Sequence, residues 1–401
     1  MAVLQLGDAR VHRDRRQHRV CATPPEHPAD PPRRRAAHRR STVTVAILQA
    51  GSWGTTLATI LARDGQRDVI LWTRNVEQAR EIAAQRENRR YLPGIRVPDR
   101  VEVTGDIARA LAAEDIIIAA PSIGVGALRE RIGARLRREQ RVLSATKGLA
   151  EGGQRMSELW AEVVGRERVA VLSGPNISRE IAAGLPAATV IASVAAETAK
   201  HFQELVGTPM FRAYTDTDVV GVELSGALKN IVALGAGAID GMGYGDNAKA
   251  GFITRGLAEI ARFSFAKGAN PLTVAGLAGV GDLVVTCMSK HSRNRTVGEL
   301  LAKGLGLAEI RQRLGGQVAE GVTTAEATYR AAQDAGVTMP ITEQTHLVLS
   351  DGKPIREAMR DLMQRERGDE VAGPLAELSR LITSTAAARR DDSAARSPSS
   401  R

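Results

Sequence analysis

The chain reads as an α/β protein, with a Rossmann-type N-terminal domain followed by an all-α C-terminal domain. Three observations predict this. Residues 43–58 run from an apolar strand through a glycine turn into a helix. Short apolar runs then alternate with helical patterns to about Ala192, each ending in turn residues, the mark of buried parallel strands. From about Asp216 strand candidates become scarce and helical periodicity takes over. The implied division is a basic extension over 1–41, a dinucleotide-binding domain over 42–215, a helical substrate and catalytic domain over 216–386, and a polar tail over 387–401.

The first strand, residues 45–48, leads into Gln49-Ala50-Gly51-Ser52-Trp53-Gly54. In this context G-x-G-x-x-G lets backbone N–H groups at a helix N-terminus receive a pyrophosphate. Gly51 lets phosphates approach the backbone, and Gly54 lets helix and strand pack closely. Gln49 stands where the first glycine, which eases the turn out of the strand, is expected.

The second strand, residues 69–72, ends in Thr73-Arg74-Asn75. An NAD enzyme usually places an acid there for the adenosine ribose. The Arg74 guanidinium fork suits a 2′-phosphate instead, which favours NADPH over NADH; a solvent-facing loop arginine is the alternative. Residues 115–120 run into Pro121-Ser122, 141–145 into Thr146-Lys147-Gly148, and 169–172 into Ser173-Gly174-Pro175-Asn176. Ligands of open α/β sheets bind outside the carboxyl ends of the strands, so these three turns are expected around one crevice.

In the second half, residues 219–239, 249–267, 271–280, 298–305 and 323–335 read as helices. Lys229-Asn230 falls in the first of them, with Lys229 among Leu228, Ile231 and Val232. A lysine held by apolar walls has a lowered pKa and can exchange a proton near neutrality; a side chain snorkelling out of a core helix is the bland reading. Asp282, the one acid in Gly279-Val280-Gly281-Asp282-Leu283-Val284-Val285-Thr286, is either a helix N-cap or a group that orients a lysine or a substrate hydroxyl. Ser292-Arg293-Asn294-Arg295 mixes charge with short donors, as a phosphate ester requires, or is a basic surface turn.

Composition narrows the field. The chain has 401 residues, 43% hydrophobic and only 3% aromatic, enough for a sizeable aliphatic core. The net charge is +10, but ten Arg against Asp8, Asp14, Glu26 and Asp30 place most of it in residues 1–41. Basicity confined to the ends argues against nucleic-acid binding by the body. The N-terminal forty residues lack periodicity and any apolar signal-peptide core. They read as a disordered extension or the product of an early start codon, with a basic organelle presequence as the other reading. No apolar stretch approaches the roughly 20 residues of a membrane helix. Two cysteines, Cys21 and Cys287, fit a reducing cytoplasm. No His/Cys cluster has metal-ligand spacing.

Taken together, the motifs identify a likeness. Over residues 42–386 the chain resembles the bacterial cytoplasmic type of NAD(P)-dependent glycerol-3-phosphate dehydrogenase. The likeness rests on Gly51-Ser52-Trp53-Gly54-Thr55, Asn88-Arg89-Arg90-Tyr91-Leu92-Pro93-Gly94, Ala145-Thr146-Lys147-Gly148-Leu149, Leu172-Ser173-Gly174-Pro175, Gly226-Ala227-Leu228-Lys229-Asn230, Gly279-Val280-Gly281-Asp282-Leu283, Ser292-Arg293-Asn294 and Val318-Ala319-Glu320-Gly321. The resemblance implies reversible hydride transfer between NAD(P)H and dihydroxyacetone phosphate, giving sn-glycerol 3-phosphate for phospholipid synthesis.

It also implies roles. Gly51, Ser52, Trp53, Gly54, Arg74, Tyr91, Val318 and Glu320 contact the nucleotide, with Ser178 beside them where relatives often carry Ala. Lys147 touches cofactor and substrate. Lys229 is the catalytic proton-transfer group, Asp282 its partner, and Asn230 aligns lysine and substrate. Ser292, Arg293 and Asn294 bind substrate, with Arg293 facing the phosphates of substrate and cofactor. Gly174 and Asn176 form a substrate loop, although many relatives carry Ser or Thr in place of Asn176. A homodimer follows from the likeness. Two other readings stay open: a two-domain dehydrogenase of a hydroxy acid or a nucleotide sugar, the latter with Cys287 as nucleophile, and a non-catalytic descendant marked by Gln49.

Overall fold

The apolar runs become the middle of a sheet. The computed structural model describes residues 44–63, 67–315 and 317–366; the extension read over 1–41 and the tail over 387–401 lie outside the described residues. Eight strands form: β1 (Thr44–Leu48), β2 (Asp68–Trp72), β3 (Val101–Thr104), β4 (Asp115–Ile118), β5 (Arg141–Ser144), β6 (Val169–Ser173), β7 (Ala187–Ala192) and β8 (Phe211–Asp216). Their order is β3-β2-β1-β4-β5-β6-β7-β8. The first six run parallel, and β7 pairs antiparallel with β6 while β8 runs parallel to β7.

Successive strand residues face opposite sides, and both sides are buried. Val45, Ile47, Leu71, Ile117 and Leu143 join Leu57 and Phe202 on one face. Ala46, Leu48, Ile70, Ile116 and Ile118 join Trp160 on the other. A strand covered on both faces must be apolar at every position, which is why β1, β2, β4, β5 and β6 are visible in the sequence. The strands not anticipated are β3, β7 and β8. In β8, Phe211-Arg212-Ala213-Tyr214-Thr215-Asp216, only Phe211 is buried and Arg212, Tyr214 and Thr215 are exposed, as on a sheet edge. The strands read as parallel are so, and the one antiparallel join is to the unanticipated β7.

Beyond β8 the chain turns helical at Val219. The helix Val219–Met242 is buried along most of its length. Its length and composition would allow it to cross a bilayer, yet 83% of its most apolar window is buried, as expected of a core helix. The helices Gly245–Ala266, Asp282–Met288, Arg293–Ala302 and Glu320–Asp334 surround it. A Cβ at Gly298 would lie 1.8 Å from the Leu234 carbonyl oxygen, so only glycine lets those two backbones meet. The expected helix over 271–280 is broken: Pro271–Val274 is followed by a π-turn, Leu277–Gly281. Gly276, Gly279 and Gly281 interrupt the ladder there, and the π-turn delivers Asp282 to the next helix. Helices Leu307–Arg313, Pro340–Ser350 and Ile355–Met363 were not anticipated.

Buried glutamates tie the halves together. Glu223, on the core helix, accepts the Ser157 N–H at 2.8 Å and the Ser157 hydroxyl, at the start of helix Met156–Val164, with Arg155 at 3.1 Å. Glu320 does the same for Ser122, where helix Ser122–Ile132 begins. Burial raises the pKa of both carboxyls, and the serine hydrogen bonds and nearby arginines oppose it. Glu320 thus caps an N-terminus that helix Ser122–Ile132 leaves open, and Glu223 adds to the cap that Glu158 already gives helix Met156–Val164 by accepting the Arg155 N–H at 2.9 Å.

Candidate functional site

Strand order reverses at β1, between β2 and β4, and a cleft of about 330 Å³ opens at these carboxyl ends. This is the switch point where open α/β sheets hold ligands. Its walls carry Gln49, Gly51, Ser52, Trp53 and Tyr91 beside Pro121, Thr146, Lys147, Asn176 and Ser178. The helical half contributes Lys229, Asn230, Thr286, Ser292, Arg293, Asn294, Val318 and Glu320. The three strand-end turns expected around one crevice do surround it.

The turn out of β1 is tight. The Gln49 N–H donates to the Trp72 carbonyl at 2.8 Å, and Gln49 sits at φ +92°, a region L-residues rarely occupy. A Cβ at Gly54 would fall 2.1 Å from the Gln49 oxygen. The segment after helix Val76–Gln85 is clamped over this turn: Asn88 donates to the Ala50 carbonyl at 3.0 Å and to Thr55 Oγ1 at 2.8 Å, and the Ser52 hydroxyl to the Tyr91 carbonyl at 2.7 Å. Helix Ser52–Ala62 has no side-chain N-cap and no acid in its first turn, which leaves its N–H groups for an anion. Trp53 Nε1 is buried without a partner among the described residues. These features fit the pyrophosphate of a dinucleotide.

Opposite lies one carboxylate shared by two ammonium groups. Asp282, 1% exposed, accepts Lys229 Nζ at 2.6 Å on one oxygen and Lys147 Nζ at 2.8 Å on the other. Lys229 also donates to the Thr286 hydroxyl at 2.6 Å, and Lys147 to the Gly174 carbonyl at 2.7 Å. Lys229 is therefore held by polar partners and not by apolar walls alone, a correction to the sequence reading. Burial pushes the pKa of Lys147 down to about 8, with Asp282 opposing the fall and Lys229 adding to it.

Asp282 is the first residue of helix Asp282–Met288, whose cap is Gly281, so its carboxylate is free for the lysines. The capping residue is Ser292, whose Oγ accepts the Arg295 N–H at 3.2 Å. Asn294 donates to Asn230 Oδ1 at 2.8 Å and accepts the Gly321 N–H at 2.9 Å, while Asn230 donates to the Lys147 carbonyl at 3.2 Å. This chain of amides fixes the lysine-bearing strand end to the core helix. Arg295 turns away to Asp240 at 2.6 Å. Arg293 makes no ion pair or hydrogen bond among the described residues and borders the cleft, where an incoming phosphate would find it. Asn176 Oδ1 is buried and has no partner among the described residues.

Four of the expected residues do not reach the wall. Arg74 is exposed beyond the end of β2, and Gly54 packs behind the turn. Gly174 contributes its carbonyl to Lys147, and Asp282 lies beneath the two lysines. Thr286 was missed as a site residue, although its i+4 spacing from Asp282 puts both on one helix face. Arg179, His291 and Gln317 also border the cleft; single polar residues carry no periodic signal. Cys287 is buried with its thiol pushed up to about 12 by burial, so the nucleotide-sugar reading loses its nucleophile. Among the described residues no three His, Cys, Asp or Glu side chains cluster as metal ligands.

Comparison with known proteins points one way. Family models described as the N-terminus and the C-terminus of NAD-dependent glycerol-3-phosphate dehydrogenase match residues 44–199 and 218–360. A "Glycerol-3-phosphate dehydrogenase [NAD(P)+]" of Chlorobium limicola is 46% identical over 332 residues, 82% of this chain and 99% of its own length. One of Frankia casuarinae is 48% identical over 329 residues, 81% and 97% of the two chains. The crystal structure of glycerol-3-phosphate dehydrogenase from Coxiella burnetii superposes with a TM-score of 0.78 at 38% identity, covering 81% of this chain and 99% of that one.

Proposed function

The chain belongs to the NAD-dependent glycerol-3-phosphate dehydrogenase family, and from that membership we infer an NAD(P)-dependent oxidoreductase that interconverts dihydroxyacetone phosphate and sn-glycerol 3-phosphate. The observation that supports this chemistry best is Asp282 with a lysine on each oxygen at the cleft floor.

When bound, the nicotinamide supplies hydride to the substrate C2 carbon or takes it back. The residues do the rest. Lys229 and Lys147 each commit two of three ammonium donors to the protein, leaving one apiece for the C2 oxygen. Two cations around a single carboxylate stabilise the negative charge that grows on that oxygen in reduction, and Lys229 delivers its proton. Asp282 holds both lysines against their mutual repulsion, and Asn230 fixes the Lys147 backbone. Arg293 and the Ser292 hydroxyl take the phosphate, with Asn294 as their support and Asn176 and Gly174 as the substrate loop.

On the other wall Gly51, Ser52, Trp53, Tyr91, Ser178, Val318 and Glu320 hold the dinucleotide, with Gly54 packed behind the turn so that it stays tight, and Arg74 makes NADPH the preferred form. Residues 42–215 carry most of the cofactor contacts and 216–386 most of the substrate machinery. The reading extends to a homodimer in the cytoplasm whose product feeds glycerophospholipid synthesis.

The test is NADPH oxidation with dihydroxyacetone phosphate, repeated with Lys229→Ala. We expect turnover in the parent and a loss of roughly a thousandfold in the variant, with NADPH binding retained. Parent-like turnover in the variant would remove Lys229 from the mechanism. Absence of turnover in the parent would favour a non-catalytic descendant.

A further inference from the structure

Gln49 is a strained residue that the apo fold does not use. It sits at φ +92°, where glycine would be unstrained. Its backbone is pinned by the bond to the Trp72 carbonyl and by Gly54 packed on its own carbonyl. Its half-buried side chain borders the cleft, but the carboxamide bonds to nothing among the described residues. Neighbouring polar groups are satisfied without it: the Ala50 carbonyl accepts Asn88 at 3.0 Å and Gln78 at 3.0 Å. Strain without a compensating protein contact is a mark of a functional position.

Its place tells what it would meet. Leu48 pairs with Trp72, so Gln49 lies level with Thr73, at the end of β2. That is where a dinucleotide fold presents the acid that binds the adenosine ribose. Here no acid follows β2: Thr73 is buried with its hydroxyl donated to Gln78 at 2.9 Å, and Arg74 is exposed. The adenosine end of the site therefore has a cation and, from the first glycine position, a carboxamide. A carboxamide donates to phosphate and ribose oxygens alike and accepts from ribose hydroxyls.

We propose that Gln49 is a cofactor-binding residue, whose carboxamide hydrogen-bonds the adenosine ribose and its 2′-substituent and so replaces the acid missing after β2. This rests on the dinucleotide reading of the cleft.

Calorimetric titration of the full-length protein with NADPH and NADH, and thermal melts without ligand, test it on Gln49→Gly and Gln49→Ala. Glycine relieves the strain, so the ligand-free Tm rises by a few degrees; alanine keeps the positive φ and gives no such rise. Both variants weaken NADPH roughly tenfold. A Gln49→Gly protein that binds NADPH as tightly as the parent, or more tightly, overturns the proposal, because the side chain is then idle or an obstruction. Failure of the parent to bind either dinucleotide would instead sink the reading of the cleft itself.

Discussion

The two walls of the cleft are finished to different degrees. At the Lys229–Asp282–Lys147 centre every charged group is bonded to the protein, at 2.6 to 2.8 Å. At the nucleotide turn the helix N-terminus lacks a side-chain cap and Trp53 Nε1 a partner among the described residues, and Gln49 is strained. The difference reflects what each wall must do without ligand. Two ammonium groups buried together would repel and shed protons unless a carboxylate were fixed between them. Backbone N–H groups aimed at an open cleft can be met by water until a pyrophosphate arrives. Charge has to be pre-assembled; a dipolar cradle can wait.

Asp282→Asn strikes the assembled wall hardest. It leaves two facing ammonium groups with no counter-charge, so kcat falls by roughly a thousandfold or more and stability by about 3 kcal/mol or more, read by steady-state kinetics and denaturant melts. A variant with near-parent kcat would mean that the lysines do not need the shared acid.

The pH profile comes next. Lys147, with its pKa lowered to about 8, is cationic below that pH and neutral above it. The cation stabilises growing charge on oxygen, so reduction of dihydroxyacetone phosphate should decline above about pH 8, about tenfold per pH unit if this protonation is required. Lys147→Arg, which stays charged, should lose that alkaline limb even if its rate is low. An unchanged limb in that variant would assign the titration to another group.

A smaller effect is expected at the seam between the walls. Glu320→Gln keeps an acceptor for Ser122 but removes the charge from the N-terminus of helix Ser122–Ile132, at about 1 kcal/mol in thermal stability. Because Glu320 also borders the cleft, dinucleotide affinity should shift with it, whereas Glu223→Gln, away from the cleft, should change stability alone. Equal changes in affinity for both would deny Glu320 a ligand contact. The smallest signal is a null one: Cys287, buried with its thiol near 12, should resist alkylation in the folded protein at neutral pH, checked by mass spectrometry. Rapid labelling there would mean that the core around Lys229 opens.

Much of this was legible in the chain because it rests on local rules. Strands buried on both faces must be apolar runs, and a glycine turn before a helix announces a phosphate cradle, so β1, β2, β4, β5 and β6 and residues 51–54 could be located. Edge strand β8 could not, since half its residues face solvent. Nor could the break within 271–280, where glycines read only as weak helix. Lys147, Lys229 and Asp282 could be singled out as lone charges among apolar or small residues, and Arg293 by the short donors that flank it.

What the linear order could not hold is which charges meet. Lys147, Lys229 and Asp282 are 82 and 53 residues apart along the chain, yet one carboxylate binds both ammonium groups. The depressed pKa of Lys147 follows from burial and distance, and both are properties of packing. The same holds for Gln49: its identity was plain from the start, but its positive φ and idle carboxamide exist only once Trp72 and Gly54 have closed around it. Residue types and spacings determine what chemistry is available; the through-space contacts of the folded chain decide where protons and strain reside.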